Sequence, residues 1–216
     1  MENKIKTIFT QKGPYKLTIS EEKYEVFASG TLLFGSKEKT SCTQLARIAL
    51  NHHSQPEIVL IGGLGMGFTL QEVLTEDTIQ EIDVIEIEPE VVEWNKKFFA
   101  QQNDKAVNDS RVKIFITDII NYLSQFSSPK FDIIILDIDN GPTNVIHPDN
   151  SYLYSKEMLK ITAELLRPRG LLAIWSVTRE KWFLKRLNKI FKEVQEKTIL
   201  TPHKKSGSDY VYLAFR

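Results

Sequence analysis

Three carboxylates in this chain each stand at the end of an apolar, β-type run: Glu86 in IDVIEI (82–87), Asp118 after VKIFIT (112–117) and Asp137 in FDIIILDI (131–138). A further run, EIVLIG (57–62), leads into a glycine-rich turn, IGGLGMG at 61–67, which contains Gly62, Gly63, Gly65 and Gly67. Glycine lets a backbone turn sharply and lets a ligand approach without side-chain obstruction. This turn follows a predicted strand and opens a predicted helix, the context in which such a run binds a nucleotide or nucleoside. Glu86 lies 19 residues beyond Gly67, where a carboxylate can accept hydrogen bonds from both hydroxyls of a ribose. Asp118 can reach an adenine edge. Asp137, with Asp139, Asn140 and Gly141 beside it, completes a series of polar strand ends, and in a parallel sheet such ends converge on one crevice. Singly, each acid also reads as a helix cap or a solvated loop acid, and the glycines as structural. The set together points to a site.

The elements that must position these groups follow from the same patterning. The four apolar runs, with LLAIWSV at 171–177, are rich in Ile, Leu and Val and nearly continuous, as in strands buried on both faces of a parallel sheet. Helical segments fall between them. One starts near Pro89, with Glu88 at the cap and Val91, Val92, Trp94 and Phe98 behind it. Another covers 155–166 and stops at Pro168–Gly170. Segment 179–192 sets Trp182, Phe183, Leu187, Ile190 and Phe191 opposite Lys181, Lys185, Lys189 and Lys192, an amphipathic surface helix. DYVYLAF (209–215) reads as a final strand, antiparallel to one near 193–200. Earlier, residues 15–34 alternate apolar and polar side chains, with turn-like breaks at Ser20–Glu22 and Ser29–Gly30, which predicts a small hairpin or meander; a helix follows from Ser41. The expected fold is α/β: a Rossmann-like, doubly wound, mostly parallel sheet with an antiparallel C-terminal strand over residues 41–216. A small β-hairpin region over residues 1–40 precedes it.

Composition narrows the function classes. The single cysteine, Cys42, excludes an internal disulfide and fits a reducing compartment. The polar opening MENKIKTIFTQKGPYK lacks a signal-peptide run, and no apolar stretch approaches the roughly 18–20 residues of a membrane span, so the expected location is the cytoplasm. No His/Cys/Asp spacing suggests a metal. Residues 1–155 carry 14 basic and 22 acidic side chains, and residues 156–216 carry 14 and 6. The basic third can attract an anionic partner or an acidic region of a second subunit. It lacks an arginine-rich run or an aromatic-interleaved patch, so solvated helices are the simpler reading than nucleic-acid binding.

From Glu57 to about Val177 the chain resembles spermidine synthases and their class I methyltransferase-like relatives. VLIGGLGMG, VIEIEPEVVEWNKKFF, RVKIFITD, FDIIILDIDNGP and LLRPRGLLAIWS carry the resemblance, in the family's order. It implies a co-substrate of the S-adenosylmethionine (AdoMet) or decarboxylated AdoMet type, a small amine acceptor and a homodimer. By this resemblance Gly63 and Gly65 approach the amino-acid part of the donor, Glu86 holds the ribose and Asp118 the adenine. Gly62, Gly67, Ile87 and Ile119 complete the donor site. Asp137 takes the catalytic-aspartate position, with Asp139 as the secondary catalytic residue. Three departures accompany the match. Gly65 stands where the aminopropyltransferase glycine motif usually has aspartate, SKEKTSCTQL replaces a Tyr-His-containing acidic stretch, and DIDNGP replaces Asp-Ser-x-Asp-Pro.

The role of Asp137 has its own chemical logic. Alkyl transfer from a sulfonium needs a neutral amine with its lone pair aimed at carbon, whereas alkyl amines are mostly protonated at neutral pH. A carboxylate can bind the cation and help deliver the lone pair. The expected function is transfer of an aminopropyl or methyl group to a small amine or similar nucleophile. The alternatives are a non-catalytic nucleoside-binding regulatory or assembly protein, and an RNA methyltransferase. Asn140, Asn144, His147, Asn150, Tyr152 and Tyr154 fall in a loop that could cover the pocket, with His147 a surface histidine rather than a base.

Overall fold

Strand–helix alternation after residue 57 produces a seven-stranded sheet in the order β7-β6-β5-β8-β9-β11-β10. Its parallel part consists of β5 (Ile58–Gly62), β6 (Glu81–Glu86), β7 (Val112–Ile116), β8 (Phe131–Leu136) and β9 (Leu166–Ser176). β10 (Glu193–Thr201) and β11 (Gly207–Phe215) form a hairpin that joins β9 antiparallel. The computed structural model describes residues 4–10, 13–20, 23–28, 30–36, 39–138, 140–201 and 207–216. The chain divides into two compact units, residues 1–40 and 41–216.

The apolar runs of β5 and β8 are buried because both faces of the sheet are covered. Leu60, Ile134 and Leu136 belong to a core with Leu123 of α4 (Ile119–Leu123), Leu159 of α5 (Lys156–Leu165) and Phe183 of α6 (Lys181–Leu187). Val59, Ile61, Ile133 and Ile135 alternate with them in the two strands and are equally buried. The opposite face carries α1 (Lys39–Leu50) and α2 (Phe68–Val73); α3 (Pro89–Trp94) follows β6. Sheet order reverses between β5 and β8: the chain winds one way through β6 and β7, then returns to build β8 and β9 on the other side. In open α/β sheets that switch point opens a crevice at the carboxyl ends of the strands.

Several expected boundaries move. β9 starts at Leu166 rather than 171, because Leu166 pairs with Phe131 while Pro168–Gly170 form an irregularity, with Arg169 at φ 71°. The amphipathic segment at 179–192 is helical only over Lys181–Leu187, and Trp182 is exposed rather than on the buried side. The N-terminal unit is a four-stranded antiparallel sheet, β1 (Lys4–Thr10), β2 (Gly13–Ser20), β3 (Lys23–Ala28) and β4 (Thr31–Gly35), in sequential order. The expected meander is β2–β4, and β1 extends it. Leu17 and Val26, cross-strand partners, are fully buried.

Candidate functional site

The glycine turn leaves β5 at the switch point. Gly63 N donates to Ile85 O of β6 (2.9 Å), and Asp137 N donates to Gly62 O (2.9 Å), so the turn is tied to both neighbouring strands. Gly63 has φ 90°, and a Cβ there would lie 2.3 Å from Asp137 O. Only glycine lets these two backbones come so close. Gly65 and Gly67 also have positive φ, 51° and 78°. A Cβ at Gly62 would meet Ile119 Cδ1 at 3.5 Å, which puts Ile119 beside the turn.

Two asparagines that the sequence reading did not single out brace this turn. Asn95 Nδ2 donates to Gly65 O (2.8 Å) and to Val91 O (2.9 Å). Asn103 Nδ2 donates to Met66 O (2.9 Å) and to Asn95 Oδ1 (2.8 Å). Both are fully buried, and a Cβ on Gly67 would reach within 2.8 Å of each. Asn95 opens a π-helical turn, Asn95–Phe99, at the end of α3; such turns recur at functional sites. The available signal was an asparagine four residues after Val91, on the stripe of Val91, Val92 and Trp94.

Glu86 ends β6 and is buried. Its Oε2 accepts from Leu64 N of the turn (3.1 Å) and its Oε1 from Glu88 N (2.9 Å). Burial raises its pKa, and the N–H groups of Glu88, Leu64 and Ile87 oppose that rise. Those three N–H groups leave the carboxylate one lone-pair direction for a further donor. Ile87, half-buried, follows it. Asp118 caps α4 through Oδ1, which accepts from Ile120 N (2.8 Å). It is thus a helix cap as well as a strand-end acid. Asp137 Oδ2 accepts from Thr69 Oγ1 of α2 at 2.7 Å, and Thr69 is buried. Asp139 lies outside the described residues.

The stretch after β8 is fixed to the end of β9. Val177 N donates to Asn140 O (3.1 Å), Asn144 Nδ2 to Thr178 Oγ1 (3.0 Å) and Trp182 Nε1 to Thr143 Oγ1 (3.1 Å). Gly141, at φ 109°, sits where a Cβ would be 2.2 Å from Ser176 Oγ. Tyr154 packs edge-on against Phe183 in the core rather than lining a pocket, and Tyr152 is exposed. His147 precedes a 3₁₀ segment, Pro148–Tyr154. Among the described residues no group of His, Cys, Asp or Glu could hold a metal ion, and no helix is long and apolar enough to cross a membrane.

A family model, the spermine/spermidine synthase domain, matches residues 38–205. The chain belongs to the spermine/spermidine synthase family. Among the relatives, a polyamine aminopropyltransferase of Saccharolobus solfataricus is 28% identical over 97% of this chain and 68% of its own length. One of Caldicellulosiruptor saccharolyticus is 32% identical over 72% of this chain and 58% of its own length. The fold is that of the spermidine synthase of Thermotoga maritima, at a TM-score of 0.81 and 21% identity over 98% of this chain and 72% of that one. A spermidine synthase solved in complex with the transition-state analogue AdoDATO gives 0.83 and 22%, over 98% and 73%. The family match covers the glycine turn, Glu86, Asp118 and Asp137.

Proposed function

We propose that this family member transfers an aminopropyl group from decarboxylated AdoMet to a small amine. Its site is the crevice at the carboxyl ends of β5, β6, β7 and β8. The observation that carries the reading is Asp137: it follows β8 directly at the switch point, its backbone opposes Gly63, and its carboxylate is oriented by the Thr69 hydroxyl. Glu86 and Asp118 bind the ribose and the adenine of the donor. Asp137 takes a proton from the acceptor ammonium. The freed nitrogen lone pair attacks the methylene next to the sulfonium, a C–N bond forms and the C–S bond breaks. Sulfur keeps the electron pair, leaving neutral methylthioadenosine.

The aminopropyl donor is favoured over AdoMet by the curated relatives, which carry the name polyamine aminopropyltransferase. It also suits the electrostatics, since decarboxylated AdoMet brings no carboxylate to a crevice lined by acids. The test incubates the protein with decarboxylated AdoMet or with AdoMet, plus a panel of amines, and follows the adenosine product. Methylthioadenosine formed only with an amine present supports the reading. Adenosylhomocysteine from AdoMet instead would identify a methyltransferase, and no product despite nucleoside binding would leave a binding protein.

A further inference from the structure

β8 stands between β5 and β9 in the sheet, so Asp137 has the glycine turn and Glu86 on one side and the carboxyl end of β9 on the other. On the transfer reading, a donor held by Glu86 and Asp118 fills the β5–β7 side and leaves the acceptor the β9 side. That side is bounded by residues 140–144, which begin three positions after Asp137 and run against the end of β9. Leu136 is opposite Ile174, so Ser176, the last residue of β9, is level with residue 138. Gly141 then comes so close to Ser176 that no side chain fits between them.

The stretch is kept in place by polar contacts centred on Glu180, the residue before α6. Its Oε1 accepts from Thr178 Oγ1 at 2.7 Å, and Thr178 Oγ1 in turn accepts from Asn144 Nδ2 at 3.0 Å. Its Oε2 accepts from Trp182 Nε1 at 2.8 Å, and the same N–H reaches Thr143 Oγ1 at 3.1 Å. Glu180 is itself fixed from the core, because its backbone N–H donates to the hydroxyl of the buried Tyr212. Arg186, one turn further along α6, lies over the Trp182 ring at 4.7 Å and donates to Tyr154 O at 2.7 Å, where the 3₁₀ segment ends. Trp182 is 41% exposed, so its ring gains little from burial, yet its N–H and its π face are both engaged. The surroundings fix the orientation of this side chain.

We infer that Glu180 and Trp182 are positioning residues for the acceptor: they clasp Thr143 and Asn144 and so fix the wall that bounds the β9 side of the crevice beside Asp137. The inference rests on the transfer reading above. Attack on the methylene needs the amine nitrogen about 3–3.5 Å from carbon with its lone pair aligned, and a misplacement of about 1 Å can cost about 10²-fold. A wall that is already tied down does not have to be ordered when the amine arrives. Since the clasp and Glu86 lie on opposite sides of Asp137, it acts on the acceptor and leaves the donor alone.

The test combines hydrogen exchange with kinetics on the full chain, for the wild type and for Trp182→Phe, which keeps a ring for Arg186 and loses the N–H. Amides of residues 140–147 are expected to exchange at least about tenfold faster in the variant, the scale of losing a hydrogen bond to a charged group, with residues 58–74 unchanged. The KM for putrescine, or for whichever panel amine is turned over fastest, should rise about tenfold, while that for decarboxylated AdoMet stays within about twofold. Thr143→Val reproduces the rise, Thr143→Ser does not, and adding Thr143→Val to Trp182→Phe brings no further rise. Equal exchange in the wild type and Trp182→Phe overturns the clasp. So does a loosened stretch with an unchanged amine KM, or with the two KM values rising together. A stretch loosened by Trp182→Phe, in a protein that yields no methylthioadenosine with any amine, keeps the clasp and overturns the transfer reading.

Discussion

Asp83 and Asp132, near the starts of β6 and β8, each meet a cation. Asp83 is fully buried against Lys130 and Tyr122 Oη, and Lys130 also reaches Glu81 at 3.4 Å. Asp132 pairs with Arg167 at 3.1 Å and accepts from Glu57 N and Ile58 N, both at 2.9 Å. Glu86 and Asp137, at the far ends of the same two strands, meet N–H and O–H dipoles from Leu64, Glu88 and Thr69. One strand thus carries an acid whose charge is cancelled and an acid whose charge is only oriented. Cancelled charge stabilises a fold, whereas oriented charge can still act on a cationic ligand. Burial first, then the hydrogen bond to Asp83 and the adjoining carboxylates, hold the Tyr122 phenol protonated well above its usual range.

The contrast can be broken most severely at Asp137. Asp137→Asn is expected to lower turnover by about 10³-fold, within the range for losing a general base, and to leave donor affinity within about threefold. Steady-state rates with calorimetry check it, and an active variant would move the proton to another group. Next comes Lys130→Met, which leaves Asp83 buried without its cation. Unfolding in urea should show a loss of about 3 kcal/mol, much of it recovered when Asp83→Leu is added, with nucleoside affinity unchanged. Glu86→Gln is smaller and mixed. The amide can accept from only one of the Leu64 and Glu88 N–H groups and opposes a donor to the other. Nucleoside affinity should fall by about 10–30-fold, with a stability loss of about 1–2 kcal/mol. A pure affinity loss with unchanged stability would show that Glu86 does not hold the turn.

The smallest effect is a slope. Burial raises the pKa of Glu86 in the folded protein, and the role proposed for it, accepting from ribose hydroxyls, needs the ionised form. Nucleoside affinity should therefore decline as pH falls through that raised pKa, beginning above the range where ordinary glutamates protonate. In Glu86→Gln this part of the pH dependence should vanish. A slope that survives in the variant would show that Glu86 does not set it.

The cancelled acids were harder to read from the sequence than the oriented ones. The glycine turn and Glu86, Asp118 and Asp137 are legible because each is punctuation at the end of an apolar run, a local signal. The pairing of Asp83 with Lys130 spans 47 residues and that of Asp132 with Arg167 spans 35, and no local pattern announces either. The braces Asn95 and Asn103 and the hydroxyl of Thr69 act across α2, α3 and the turn, so each looked like an ordinary helix residue. β1 and the early start of β9 were missed for a related reason. Strands defined by pairing with a partner, across a Pro-Arg-Gly irregularity in one case, show little pattern of their own.

The sheet order also has a bearing on how the chain is made. β5 lies between β6 and β8, and β8 ends at Leu136 of a 216-residue chain. Until that point has left the ribosome, Val59, Leu60 and Ile61 line an open, unpaired edge of the kind that invites association with other chains. The Gly62–Asp137 bond that closes the crevice cannot form earlier. A fluorescent adenosine analogue captured by nascent chains of increasing length would therefore mark the moment at which the centre of the sheet closes.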